Sequence, residues 1–196
     1  MNKNYKYFFE NAFSFPNLIS LFRLLLAIPV FFIVKNLHTN VNYRYITLTL
    51  ILTAFISDLI DGYVARKKNL ISEFGKIIDP LADKVFIFLL VTQLYLIGEI
   101  LPIYFWTIVI RDIIIFIGGI YITRKIGKVL PSNLLGKITV LIIGIFILIT
   151  ISGMNKSNFI YHSLFYLSII LSLLSVIGYG LRGYEALKWN KNENSR

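Results

Sequence analysis

No cysteine occurs in the sequence. That excludes a disulfide framework, a thiol nucleophile and a zinc–thiolate centre, and it leaves the redox compartment unread. Charge is scarce: 15% of the residues are Asp, Glu, Lys or Arg, where a soluble domain carries about 25%. Acid is the rarer sign, with ten Asp and Glu against 20 Lys and Arg, a formal net charge of +10. Histidine appears twice and proline five times. Apolar residues fill the remainder, 57% of 196 positions, and the mean hydropathy is +0.73. This composition excludes a disordered chain, a coiled coil and an ordinary soluble enzyme. It describes an all-α integral membrane protein.

A spanning helix needs about 20 mostly apolar residues. Six runs qualify: 18–35, 45–65, 77–97, 101–123, 137–153 and 159–180. The first is not expected to be a cleaved signal, because the 17 residues before it are mixed and no small-residue cleavage site follows. No internal repeat is evident, so residues 1–196 are expected to form one domain, with 18–180 as a six-helix bundle. Residues 5–15 place Tyr5, Phe8, Phe9, Ala12 and Phe13 at helical spacing beside Lys3 and Lys6, which predicts a short interfacial helix within 1–16. The segment 181–196 reads as a cytoplasmic tail, polar and frayed from Lys188 to Arg196.

Basic residues set the orientation. Fourteen lie in segments on the side of the N-terminus, and only Lys35, Arg44 and Lys156 lie on the other; Arg23, Lys84 and Arg111 fall inside spans. Both termini are therefore expected in the cytoplasm, in a cell membrane with its functional face turned to the cytoplasm. The basic surplus is spread over every cytoplasmic segment, so orientation and anionic membrane lipids account for it and no nucleic-acid partner is expected. His38 and His162 fall near the external face, away from the acidic residues. Trp106, Trp189 and many tyrosines read as interfacial anchors.

The acidic residues stand where they oppose insertion. An aspartate at a helix centre costs about 2.5–3.5 kcal/mol on insertion scales. Asp58 and Asp61, three apart, close the second run; Asp79 and Asp83, four apart, open the third. Each pair shares a helical face, and a short turn makes the two helices antiparallel neighbours. Four carboxylates without His or Cys form a hard-oxygen site suited to Mg²⁺, Mn²⁺ or Ca²⁺. Two such ions would neutralise all four. Ion pairs with Arg66, Lys76, Lys84 or Arg111 would account for one or two of the aspartates and leave the others unexplained. Between the pairs, Gly62, Ala65 and Gly75 are small enough for close helix packing or for a flat ligand.

Written together, these residues read Asp58-x2-Asp61-Gly62-x2-Ala65-Arg66-x8-Gly75-x3-Asp79-x3-Asp83. The pattern resembles the signature of the CDP-alcohol phosphotransferase family at all eight specified positions. Pro16-Asn17-Leu18 followed by Arg23, together with Asp79-Pro80-Leu81-Ala82-Asp83-Lys84, resembles the branch holding phosphatidylglycerophosphate synthases and eukaryotic-type cardiolipin synthases. Arg111-Asp112 leans towards the cardiolipin form. Gly136-Lys137-Ile138-Thr139 resembles a stretch of the glycerophosphate enzymes but lacks its second lysine.

The resemblance implies transfer of a phosphatidyl group from CDP-diacylglycerol to an alcohol, with CMP leaving. It makes Asp58, Asp61 and Asp79 the principal ligands of Mg²⁺ or Mn²⁺, two ions in all. Asp83 would help to bind metal and accept the hydroxyl proton. Gly62, Ala65 and Gly75 would border the cytidine and phosphates with Asp58, and Arg66 would assist with phosphate charge. It also implies a homodimer, which Gly118, Gly119 and Gly144 permit. An acceptor phosphate asks for Arg or Lys near the carboxylates, and the candidates are Arg111, Lys137, Arg124, Lys125 and Lys128. Glycerol 3-phosphate is the leading acceptor. Phosphatidylglycerol, giving cardiolipin, and a polar alcohol such as inositol phosphate are the alternatives. A cation transporter is the reading from another class, disfavoured because no inverted repeat or broken-helix pair at the midplane is seen.

Overall fold

Long apolar runs leave the backbone no partner but itself, and the helix is what results. A computed structural model of the chain describes residues 15–68, 75–127 and 134–193, with side chains described for 18–57, 81–127 and 134–189. Six helices make up the described residues: α1 (Phe15–Val34), α2 (Val41–Lys68), α3 (Gly75–Leu96), α4 (Pro102–Ile126), α5 (Leu134–Ser152) and α6 (Phe159–Glu193). Each expected span falls on one of them, with overruns of a single residue. The expected interfacial helix lies almost wholly outside the described residues. Pro102–Ile126, Leu134–Ser152 and Phe159–Trp189 are long and apolar enough to cross a membrane, and Leu18–Val34 is a shorter apolar helix.

One boundary departs from expectation. The last helix does not end near residue 180 but continues to Glu193. Leu181, Arg182, Glu185, Ala186, Leu187 and Lys188 are strong helix formers, so loss of apolar character there does not end the helix.

The chain divides into two compact units between Glu99 and Ile100. In the first, α1 packs against both α2 and α3. Its buried residues Ser20, Arg23, Ala27, Val30 and Val34 alternate three and four apart, the stripe of a helix facing neighbours along its length. Leu18, Phe22, Leu25, Ile28 and Phe32 form the opposite, exposed face. From α3, Ala82, Phe86, Leu90, Gln93 and Leu94 are buried in turn. Helices α1 and α3 run parallel: Arg23 meets Asp83 towards their N-terminal ends, and His38, just past α1, lies 3.3 Å through Nε2 from the Ile97 carbonyl just past α3.

Gly98, at φ +73°, ends α3, and Glu99 N–H turns back to donate to Leu94 O at 2.9 Å. The reversal buries the Glu99 side chain, which is 6% exposed, where Arg44 Nη2 donates to its Oε1 at 3.1 Å and His38 Nδ1 lies 3.7 Å away. One carboxylate thus ties the ends of all three helices.

The second unit packs α6 against α4 and α5. Helix α4 runs parallel to α6, with Arg111 beside Ser175, Gly118 and Gly119 beside Tyr179, and Gly183 beside Ile122. Helix α5 runs antiparallel to α6: Phe146 lies against Tyr161 and Phe165, and Thr139 Oγ1 is 3.2 Å from Leu171 O. Tyr104 joins Phe146 and Phe165 at ring-centroid distances of 4.5 and 5.5 Å. Ser168, Ser172 and Ser175 line the inner face of α6, and each hydroxyl donates to a carbonyl three or four residues back. That arrangement satisfies small polar groups in an apolar interior and lets helices approach closely. Gly118 and Gly119, small residues that permit a homodimer, face Tyr179 within this unit, and a Cβ at Gly119 would meet the Tyr179 hydroxyl at 3.0 Å. Among the described residues, a Cβ at Gly144 would meet no atom within 4 Å beyond the backbone of its own helix.

Phe146 is fully buried and Leu141 is 60% exposed on the same helix. Phe146→Ala is expected to destabilise the protein by about 3 kcal/mol through the cavity it leaves, and Leu141→Ala by less than about 0.5 kcal/mol; thermal unfolding in detergent measures both. Glu99→Ala, which strips Arg44 of its carboxylate, should cost about 2 kcal/mol in the same measurement and leave turnover of the folded protein unchanged.

Candidate active site

The signature residues lie on the adjoining ends of α2 and α3. Asp58, Asp61, Gly62, Ala65 and Arg66 are all within α2, which stays helical to Lys68; Gly75 opens α3 and Asp79 follows one turn later. Continuous helix at both places gives each aspartate pair the common face that its spacing requires. The side chains of these residues lie outside the described set.

Asp83 does have a described side chain. It sits on α3 next to the fully buried Ala82, with its own side chain 49% exposed. Its Oδ1 accepts a charge-assisted hydrogen bond from Nη1 of Arg23 on α1. Arg23 is only 3% exposed, so the guanidinium belongs to the interior and the carboxylate to the accessible edge. The sequence reading offered Arg66, Lys76, Lys84 and Arg111 as ion-pair partners for the aspartates; Arg23 takes that place at Asp83. In the sequence Arg23 stands out as a basic residue inside a span and as the end of the Pro16–Arg23 stretch, with nothing to indicate which group its charge would meet. The missed signal was its position. It stands three residues from Ser20 and four from Ala27, inside the stripe that α1 buries, where an ionised side chain needs a specific partner.

Arg111, a candidate for the acceptor phosphate, is engaged within the second unit. Its Nη1 donates to Asp112 Oδ1 at 2.5 Å and its Nε to Ser175 Oγ at 3.2 Å. Arg124 and Lys125 close the last turn of α4, where cations complement the exposed carbonyls. Gly127, at φ +73°, caps that helix by donating from its N–H to Thr123 O at 2.8 Å. Arg124 is exposed, and Lys125 Nζ stands 4.9 Å from the centroid of the Tyr121 ring. Lys137 is exposed in the first turn of α5. Lys128 lies outside the described residues.

Three of the described helices are long and apolar enough to cross a membrane, and comparison with known proteins makes the chain a transferase. The model of the CDP-alcohol phosphatidyltransferase family matches residues 13–177. The chain belongs to that family. It is 35% identical over 179 residues to the CDP-diacylglycerol–glycerol-3-phosphate 3-phosphatidyltransferase of Aquifex aeolicus, covering 88% of this chain and 97% of the relative. The protein of that name from Mycoplasma pneumoniae is 30% identical, with 88% of each chain covered. Its Bacillus subtilis counterpart is 31% identical over 140 residues, 64% of this chain and 70% of the relative.

Proposed function

We propose that the protein transfers the phosphatidyl group of CDP-diacylglycerol to the hydroxyl of glycerol 3-phosphate, releasing CMP and forming phosphatidylglycerophosphate. The observation that carries this reading is the full-length likeness to the Aquifex enzyme, joined to a signature whose aspartate pairs fall on continuous helix.

Asp58, Asp61, Asp79 and Asp83 are the metal ligands in this reading. They fit a hard divalent cation: their donors are carboxylate oxygens alone, spaced three and four residues apart, and Asp83 stands at an accessible edge. When bound, Mg²⁺ or Mn²⁺, two ions in all, supplies positive charge to the pyrophosphate as its bridge breaks. Asp83 takes the proton of the acceptor hydroxyl as the new oxygen–phosphorus bond forms at the lipid-bearing phosphorus. The electron pair of the broken bridge departs with CMP. Gly62, Ala65 and Gly75 leave room beside the nucleotide, Asp58 faces it, and Arg66 offers a guanidinium to phosphate. Arg111, Lys137, Arg124 and Lys128 supply the cationic surroundings of the acceptor.

The same reading makes the whole chain one catalytic domain of six spans, with the three long apolar helices joined by α1, α2 and α3. The N-terminal segment lies on the membrane surface and both termini are cytoplasmic. The active site faces the cytoplasm from the cell membrane, and the protein works as a homodimer. The distribution of Lys and Arg supports that orientation.

CMP release by the purified protein tests the assignment. Glycerol 3-phosphate should support turnover and phosphatidylglycerol should not; the reverse would assign cardiolipin synthesis. Asp83→Asn should lower turnover by about 10²–10⁴-fold. Chelation of divalent cations should abolish turnover, and added Mn²⁺ should restore it.

A further inference from the structure

The stripe that α1 turns to its neighbours is small or apolar except at Ser20 and Arg23, and Arg23 is its one ionised member. A buried arginine persists where it is paired, and its described partner is the carboxylate assigned above as base and metal ligand. We propose that Arg23 is a positioning residue for Asp83 and an internal cation of the carboxylate cluster, setting both where the Asp83 carboxylate stands and how tightly the cluster holds a divalent ion. The proposal rests on the reading of Asp83 as a member of that cluster.

Three observations carry it. The pair spans two parallel helices: Arg23 on α1 meets Asp83 on α3, and further along His38 lies beside Ile97. The contact therefore follows from the packing of the two helices, and Ala27 and Ala82, close to the pair in sequence, are both buried. Burial is unequal, with the Arg23 side chain 4% exposed and that of Asp83 49%. An anchored cation behind an accessible carboxylate is how an outer group orients a working one. Finally, a guanidinium fork fixes the direction of a carboxylate as a point charge does not. A divalent cation drawn to the Asp83 carboxylate must share it with a fixed positive charge and is repelled by it.

A simple staple between α1 and α3 would have different consequences, so metal binding and turnover are measured separately on the full-length protein in detergent. Free Mn²⁺ is followed by electron paramagnetic resonance without substrate, and CMP release gives kcat and KM. Arg23→Met should bind Mn²⁺ about threefold or more tighter, because the competing charge is gone. The same variant should lose about 10–100-fold in kcat, with KM for CDP-diacylglycerol unchanged. Arg23→Lys should keep the wild-type Mn²⁺ affinity and recover only part of kcat. In an Asp83→Asn background, adding Arg23→Met should shift Mn²⁺ affinity by less than it does with Asp83 present.

Weaker or unaltered Mn²⁺ binding by Arg23→Met would overturn the proposal, as would the same shift in the Asp83→Asn background. If Arg23→Met does not fold, wild-type kcat in Arg23→Lys overturns it, and reduced kcat with unchanged Mn²⁺ affinity supports it. Wild-type protein that binds no Mn²⁺ overturns it too. Failure of the assigned reaction is distinguishable, since it would abolish CMP release in every variant while the substrate-free Mn²⁺ measurements still decide the charge coupling.

Discussion

Everything in this molecule is arranged around the cost of ionised groups in an apolar interior. At a helix centre each Arg or Asp opposes membrane insertion by about 2.5–3.5 kcal/mol, and the apolar solvent offers no hydration in exchange. Each described ionised side chain that is buried meets the demand with an opposite charge at close range. Arg23 meets Asp83, Glu99 meets Arg44 and His38, and Arg111 meets Asp112. The pairs differ in what they leave accessible. Glu99 is enclosed and serves to join helix ends, whereas Asp83 stays open on one side, as the role proposed for it requires.

The two units solve the packing problem alike. In each, the first and third helices run parallel, and the helix between them returns in the opposite sense. Small residues lie in the packed interior of both: Ala27 and Ala82 are buried in one, and Gly118, Gly119, Gly183 and the serines of α6 line the contacts in the other. A hydrophobic driving force does little to join helices in lipid, so close backbone approach and satisfied polar contacts do that work. In the second unit a ring cluster of Tyr104, Phe146, Tyr161 and Phe165 adds a well-packed end.

Much of this was legible in the sequence because two strong periodic signals were present. Runs of apolar residues gave the positions of all six helices, with their ends close except at the C-terminus of α6, and the spacing of Asp58, Asp61, Asp79 and Asp83 pointed to the helix ends that carry the proposed site. What escaped is instructive. The extent of α6 was hidden because apolar content and helix propensity part company after residue 180. The role of Gly118 and Gly119 was hidden because a small residue reads the same whether it faces a partner copy or Tyr179. The Arg23–Asp83 pair was hidden because its members are sixty positions apart. Only the parallel packing of α1 and α3 brings them together, and one sequence does not specify which helices are neighbours.

That sixty-residue separation also sets an order of events during synthesis. The chain emerges from the ribosome N-terminus first, so on the proposed topology α1 reaches the bilayer before α3 has been made. Arg23 then enters lipid with its counter-charge still untranslated. Until Asp83 arrives, α1 must hold its place on the strength of Leu, Ile, Val and Phe alone. The run from Leu24 to Val34, eleven residues broken only by Ala27 and Pro29, is the part of α1 that keeps it there.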